Sequence, residues 1–309
     1  MNKYSIIIPV FNEEVVIQES YSRLKKIMDS IGEDYELIFI DDGSKDSTED
    51  KIKDFAKKDN KVRLLSFSRN FGHQIALSAG LDYVSGDAII IIDADLQDPP
   101  EVIPEMINKW KEGFEVVYGK RINRKGETAF KKFTAYVFYR VFNKITGYNI
   151  PVDTGDFRLV DKKVCEAMKN IPEKSRYMRG LFSWVGFKQT SVGYIREERF
   201  AGETKYPFGK MAKFALDAIF SFSYKPLAMA SYIGFFISAI SFAYIIYIIY
   251  LKYFTFKTVL GWSSILAVNL FFNGIILMIL GIIGEYIGRI YEETKERPLY
   301  ILREKIGFK

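Results

Sequence analysis

The first two thirds of the chain alternate short apolar runs with amphipathic stretches, and the last third carries two long uncharged runs. Ser5–Pro9 reads as a strand and Glu13–Met28 as the helix after it. Glu36–Ile40, Val62–Ser66, Ala88–Ile92 and Val116–Tyr118 are further strands. Helices are expected over Asp46–Lys58, His73–Val84 and Glu101–Lys111. Short apolar runs bounded by turn residues are the signature of buried strands. Their repeated alternation with helices predicts an α/β domain: a mostly parallel, twisted sheet covered on both faces. Such sheets bind ligands beyond the carboxyl ends of their strands.

The two uncharged runs are Pro226–Leu251 and Thr258–Gly284. A bilayer-crossing helix needs roughly 20 apolar residues, so either run is long enough. Phe235, Phe236, Tyr247 and Tyr250, with Ile245–Ile249, leave no polar face of the kind a core helix shows. Two transmembrane helices are expected, about 226–251 and 262–284. Arg196, Arg199, Lys205, Lys210, Lys213 and Lys225 precede them, and Arg289, Lys295, Arg297, Arg303, Lys305 and Lys309 follow. Only Lys252 and Lys257 lie between. This bias places both termini and the α/β domain in the cytoplasm of a multi-pass cell-membrane protein. Ser5–Val10 is too short for the apolar core of a signal peptide. Ahead of the first span, Phe208, Met211, Ala215, Ile219 and Phe222 share one helical stripe, with Lys210, Lys213 and Asp217 elsewhere. Such a helix either lies in the membrane interface or packs on the soluble domain. The expected organisation is therefore an α/β domain over 1–206, a juxtamembrane amphipathic helix over 207–225, two spans within 226–284 and a cytoplasmic tail over 285–309.

Composition narrows the chemistry. The 309 residues carry 44 Lys and Arg against 38 Asp and Glu, a net charge of +6. Mean hydropathy is -0.01 although 27% of residues are charged, as expected for a polar part joined to a very apolar one. A single cysteine, Cys165, excludes an intramolecular disulfide framework. A single histidine, His73, excludes His-rich zinc sites. Nucleic acid is not an expected partner, and a homo-oligomer remains open.

Polar clusters fall at the predicted strand ends: Asn12-Glu13-Glu14, Asp41-Asp42-Gly43-Ser44, Arg69-Asn70 and Asp93-Ala94-Asp95. Ser44, Asp46 and Ser68, taken alone, read as helix caps. Asp93 and Asp95 are different, because an apolar strand ends in two carboxylates that repel each other unless a cation intervenes. Mg2+ or Mn2+ is held by one or two carboxylates together with substrate phosphates, and this pair can supply the protein's share. A bare D-x-D is common by chance, so the pair acquires meaning only from its company.

That company is specific. Ile8-Pro9-Val10-Phe11-Asn12-Glu13-Glu14, Asp41-Asp42-Gly43-Ser44, Arg69-Asn70-Phe71-Gly72-His73-Gln74 and Asp93-Ala94-Asp95-Leu96-Gln97-Asp98-Pro99-Pro100 occur in this order. Together they resemble the GT-A fold glycosyltransferases of family 2. Gly155-Asp156-Phe157-Arg158-Leu159, then Arg196-x-x-Arg199-x-x-Gly202-x-Thr204-Lys205-Tyr206, then two spans, are similar to the polyprenyl-phosphate glycosyltransferases of the bactoprenol glucosyltransferase and dolichol-phosphate mannose synthase type. The resemblance runs along essentially the whole chain. One departure is Thr204, where the family usually has Ser; the hydroxyl is kept.

The resemblance implies roles by position. Pro9, Phe11, Asn12, Glu14 and Asp42 match positions around the donor's base and ribose. Asp93, Ala94, Asp95 and Gln97 match the nucleotide-diphosphate site, with Asp93, Asp95 and Gln97 as metal positions. Asp156 matches the acidic residue beside the reacting centre and, with Asp95 and Arg199, makes up the implied catalytic set. Arg199 and Lys205 match the basic pair that grips phosphates, and Arg121 or Lys205 would meet the acceptor phosphate. His73 reads as a helix-start residue lining the donor pocket in preference to a catalytic base. The implied reaction is inverting transfer of a hexose from a nucleotide sugar, with UDP-glucose first, to undecaprenyl phosphate at the cytoplasmic membrane face. UDP-N-acetylglucosamine, UDP-galactose or GDP-mannose are the alternative donors. A processive polysaccharide synthase would need a Gln-x-x-Arg-Trp motif and more spans. A catalytically silent scaffold that binds a nucleotide sugar would tolerate loss of Asp93, Asp95, Asp156 or Arg199, and all four are present.

Overall fold

The computed structural model describes residues 2–123, 151, 154–197, 223–250, 254 and 261–308. Arg199, Thr204, Lys205, the amphipathic stripe Phe208–Phe222 and the loop lysines Lys252 and Lys257 lie outside the described residues.

The chain divides into two compact units, Met1–Lys213 with Arg297–Lys309, and Phe214–Glu296. The first is built on β1 (Lys3–Val10), α1 (Ile17–Ile31), β2 (Asp34–Asp41), α2 (Thr48–Lys58), β3 (Val62–Phe67), α3 (His73–Tyr83) and β4 (Ala88–Ile91). It continues through α4 (Ile103–Lys111), β5 (Val116–Asn123), β6 (Thr154–Asp161), α5 (Lys162–Lys169), α6 (Met178–Trp184), β7 (Gln189–Ile195) and β8 (Leu302–Ile306). The eight strands form one sheet in the order β7-β5-β6-β4-β1-β2-β3-β8. β1 pairs in parallel with β2 and β4, β2 with β3, and β5 with β7. Only β6 and β8 run against their neighbours. The mostly parallel α/β sheet expected from the alternation is present.

β1 is buried on both faces, which is why Ile6, Ile7 and Ile8 follow one another without alternation. Ile6 and Ile8 pack with Ile17, Leu24, Ile52 and Met106 of α1, α2 and α4 on one side. On the other side α3 crosses close to β1: a Cβ at Gly80 would stand 2.5 Å from Ile7 Cγ2, so only glycine permits that approach. α5 and α6 share this second face, through Cys165 Sγ against the Leu81 carbonyl (3.6 Å) and Met178 Sδ against Ser78 Oγ (3.6 Å).

Three strands are not legible as apolar runs. β6 is buried almost throughout, yet it carries Asp156 near its start and Arg158 two residues on. β7 shows only a weak alternation. β8 is a charged edge strand in a segment read from the sequence as a tail. Its Arg303 donates to Glu49 and to Ser66 Oγ, and the Ser68 amide donates to the Ile301 carbonyl at 2.9 Å. An edge dressed with Arg303, Glu304 and Lys305 resists pairing with other chains.

The second unit contains α7 (Lys225–Tyr250) and α8 (Trp262–Thr294). Both are long and apolar enough to cross a membrane, over Lys225–Tyr244 and Phe271–Thr294, and their apolar side chains are largely exposed. Tyr286 Oη donates to the Ser223 carbonyl at 2.6 Å, joining the end of one helix to the start of the other. α8 continues past Gly284 to Thr294, because Glu285–Arg289 and Glu292–Lys295 pairs support its polar end.

Candidate active site

The clusters singled out by sequence gather at the carboxyl ends of β1 to β4, as the topology requires. β6 runs antiparallel to β4 with Ile91 opposite Arg158, and this brings the start of β6, with Asp156, beside the residues that follow β4.

The loops after β1 and β2 clasp each other. Asn12 takes a left-handed backbone (φ 53°). Its amide donates to Ser44 Oγ at 3.0 Å and its Oδ1 accepts from the Lys45 amide at 2.8 Å. Glu14 Oε2 accepts from Ser47 Oγ (2.6 Å) and from its amide (3.2 Å), and these bonds lower its carboxyl below the ordinary range. Asp42 is turned toward the loop after β3. Its carboxylate accepts from Asn70 Nδ2 (2.9 Å) and from the Phe71 (2.7 Å) and Gly72 (2.9 Å) amides. Burial outweighs these donors and leaves the Asp42 carboxyl above its usual value. Of the positions matched to base and ribose, Pro9 lies buried in β1 and Phe11 half-buried after it, while Asn12, Glu14 and Asp42 hold the loops in place.

The segment after β4 carries the acids. Leu96 is in the left-handed region (φ 59°), which costs an apolar side chain about 1 kcal/mol or more and makes this a strained turn. Ala94, Leu96 and Asp98 are buried, while Asp93, Asp95 and Gln97 are half-buried. Asp95 Oδ1 accepts from the Gln97 amide at 3.1 Å. Asp93 Oδ1 is buried and, among the described residues, accepts no hydrogen bond. Burial pushes the Asp93 carboxyl up to about 6, with Asp95 and Asp156 adding to the effect and His73 opposing it. A buried carboxylate oxygen without a donor, beside a second carboxylate, fits a hard divalent cation. Among the described residues no three His, Cys, Asp or Glu side chains converge to hold an ion unaided. Gln97 Oε1 accepts from Arg196 Nη2 at 2.7 Å, so the amide matched to a metal position is engaged elsewhere.

Asp156 is 4% exposed and faces two basic side chains. Arg179 of α6 grips it with both arms, Nε to Oδ1 at 2.9 Å and Nη2 to Oδ2 at 3.1 Å. His73 Nε2 stands 3.3 Å from Oδ2 and 3.7 Å from Asp93 Oδ1. Burial alone would raise Asp156; Arg179 and His73 hold it well below the ordinary value. Burial likewise disfavours the imidazolium, but Asp93 and Asp156 outweigh it and push His73 up to about 9. His73 is the first residue of α3, the helix-start position expected of it. Arg179 carries no signal in the sequence, because its partner is distant along the chain and α6 is only a short apolar turn.

Asp98 centres a second cluster. Its Oδ1 accepts from Tyr194 Oη and lies 3.6 Å from Arg121 Nη2 and 3.8 Å from Arg196 Nε. Arg121 Nε donates to Tyr194 Oη at 3.2 Å. Gly155 makes room: a Cβ there would meet Arg121 Nη2 at 2.6 Å.

Comparison with known proteins agrees with this arrangement. Residues 5–168 match the family described as Glycosyl transferase family 2. An uncharacterized glycosyltransferase of Bacillus subtilis, YkcC, is 57% identical over 99% of this chain and 94% of its own length. The bactoprenol glucosyl transferase of Shigella phage SfV is 45% identical over 98% of this chain and 99% of its own. The prophage bactoprenol glucosyl transferase homolog of Escherichia coli K12 is 44% identical over 97% and 98%. Among solved structures, glucosyl-3-phosphoglycerate synthase from Mycobacterium tuberculosis, in complex with Mn2+, uridine diphosphate and phosphoglyceric acid, superposes with a TM-score of 0.50. That match has 20% identity and covers 71% of this chain and 76% of that one. The likeness shows the fold, a GT-A sheet. A strand-end site of paired carboxylates, on a GT-A sheet, in a chain this close to named glycosyltransferases, makes the protein a glycosyltransferase and a member of glycosyl transferase family 2.

Proposed function

We propose that the protein transfers glucose from UDP-glucose to undecaprenyl phosphate at the cytoplasmic face of the membrane, inverting the anomeric centre. The observation that carries this reading is the pairing of a GT-A carboxylate site with two helices long enough to span a bilayer, in one chain. Near full-length similarity to bactoprenol glucosyl transferases supports the acceptor and the sugar.

The chemistry is a displacement at C1. An oxygen of the lipid phosphate forms the new C1–O bond, the bond from C1 to the nucleotide diphosphate breaks, and its electron pair leaves with UDP. A phosphate monoester has a second pKa of about 6, so the nucleophile is already anionic at neutral pH and calls for alignment more than deprotonation. Asp156 fits that demand. Arg179 and His73 hold its carboxyl well below the ordinary value, so we assign it to positioning the sugar, with no proton to accept. Asp93 and Asp95 would hold Mg2+ or Mn2+, which when bound neutralises charge on the diphosphate. Arg121, Arg199 and Lys205 are assigned to the phosphates, Arg121 and Lys205 on the acceptor and Arg199 with Lys205 on the donor.

Membranes containing the protein, given radiolabelled UDP-glucose and undecaprenyl phosphate, are expected to move label into an organic-extractable lipid that mild acid releases as glucose. Label transferred from UDP-N-acetylglucosamine, UDP-galactose or GDP-mannose but not from UDP-glucose would reassign the sugar. Transfer from none of them would overturn the reading.

The same proposal fixes the orientation. In Phe256→Cys, the new thiol between the spans is expected to react with an impermeant maleimide added to intact cells. Cys165 supplies a silent background, since it is fully buried and burial pushes its thiol up to about 12. Labelling of Phe256→Cys only after the cells are opened would place the catalytic unit outside.

A further inference from the structure

We propose that Arg179 is a positioning residue of the transfer reaction, acting through Asp156, which it holds in one rotamer with a single acceptor site left for a sugar hydroxyl. The inference rests on the reading of the protein as a hexosyltransferase, and it concerns a residue that no sequence motif marks.

The geometry around Asp156 exceeds what neutralising one buried acid requires. The guanidinium meets the carboxylate fork to fork, at 2.9 and 3.1 Å, the arrangement that fixes both distance and plane. Arg158, 4% exposed, donates to the Asp156 carbonyl (3.3 Å) and the Gly155 carbonyl (3.0 Å), and its guanidinium lies 4.5 Å from the centre of the Phe182 ring. Backbone and side chain of the same residue are thus pinned by separate arginines. Burial pulls Arg158 down to about 10, so this is a costly way to fix a peptide.

The support for Arg179 reaches the same helix that supplies His73. Gln74 Oε1 accepts from the Met178 amide at 2.8 Å and so anchors the first turn of α6 directly beside Arg179. Gln189 Nε2 donates to the Phe182 carbonyl at 2.9 Å and holds the other end. Two consecutive residues of α3 therefore act on one target, His73 on the carboxylate and Gln74 on the helix that grips it.

A carboxylate offers about four lone-pair sites. Among the described residues, Oδ2 of Asp156 serves Arg179 and His73, whereas Oδ1 serves Arg179 alone. One acceptor site on Oδ1 remains, and a hydroxyl of the transferred sugar is the chemical class that fits it. The guanidinium also cancels the charge of Asp156, so that the acid does not repel the diphosphate and phosphate that must approach it. A purely structural ion pair is a poor alternative. Buried pairs of this kind contribute little net stability and can often be replaced by apolar side chains.

A double-mutant cycle separates the two. Arg179→Met and Asp156→Asn are each expected to lower kcat by about a hundredfold, with donor KM and UDP affinity changed by less than about threefold. In the Asp156→Asn background, Arg179→Met should cost less than about threefold more. Arg179→Lys keeps the charge without the fork and should recover less than about a tenth of wild-type kcat. Free guanidinium ion should raise the activity of Arg179→Met and leave Asp156→Asn unchanged. The cycle is read both as sugar transfer to undecaprenyl phosphate and as slow acceptor-independent release of UDP. Wild-type UDP release without transfer to lipid would overturn the proposed acceptor and leave the cycle interpretable. Multiplying losses in the double variant, near-normal kcat in Arg179→Met, or wild-type kcat in Arg179→Lys would overturn the role of Arg179. If Arg179→Met fails to fold, the Lys variant and its cycle with Asp156→Asn decide alone.

Discussion

Asp93→Asn is expected to lower turnover by about a thousandfold, equivalent to about 4 kcal/mol of lost transition-state stabilisation. The expectation starts from one atom. Among the described residues Asp93 Oδ1 is buried without a donor, 3.7 Å from His73 Nε2 and beyond hydrogen-bonding distance of it. Burial raises that carboxyl to about 6, with His73 opposing the shift and Asp95 and Asp156 adding to it. Asparagine keeps the shape and removes the charge, so the fold should survive while the affinity for a divalent ion falls. The measurement pairs kcat with Mn2+ binding in the presence of UDP, followed by the paramagnetic resonance of the ion. Asp95→Asn should behave alike. Gln97→Ala should cost less than either, because its amide oxygen is engaged with Arg196. Full wild-type activity in EDTA, with no ion retained by the protein, would remove the metal from this site.

How much of this was legible in the chain divides along a physical line. Strands buried on both faces announce themselves, so β1 and β2 appear in the sequence within two residues of their observed ends. The acids after β4 announce themselves too, since carboxylates that end an apolar strand need a reason. β6 does not, because the site itself interrupts it: Asp156 and Arg158 occupy core positions that would otherwise read as apolar. β8 is hidden for the opposite reason, its outward charges belonging to an edge. Arg179 was invisible because fork geometry is a property of two chain segments 23 residues apart, and neither segment alone implies it. For Asn12, Glu14 and Asp42, motif position implies the donor site, and what the sequence does not show is that they also make loop contacts with Ser44, Ser47 and the 70–72 turn.

That distinction yields the second large effect. Asp42→Ala is expected to destabilise the first unit by about 1–3 kcal/mol, since it removes the acceptor of the half-buried Phe71 and Gly72 N–H groups, while the Asn70 amide keeps the Asp42 carbonyl at 3.2 Å. The adjoining Gly43 is constrained with it. Its φ is 72°, and a Cβ there would lie 2.6 Å from the carbonyl carbon of Arg69 and 2.8 Å from the Asn70 nitrogen, both backbone atoms that cannot swing aside. Gly43→Ala therefore adds a left-handed penalty of about 1 kcal/mol to an overpacking cost of about 1–3 kcal/mol. The two substitutions attack the same contact from opposite sides, the loss of an acceptor and the insertion of a methyl. They should accordingly lower the melting temperature of the detergent-solubilised protein alike, and because His73 follows the displaced loop they should lower kcat together with it. A donor-binding role for Asp42 makes a different forecast. Asp42→Ala would then raise the KM for the nucleotide sugar while leaving the melting temperature unchanged, and Gly43→Ala would not share the effect. Scanning calorimetry of the two variants beside wild type decides between a residue that touches the nucleotide and one that holds the loop on which His73 is mounted.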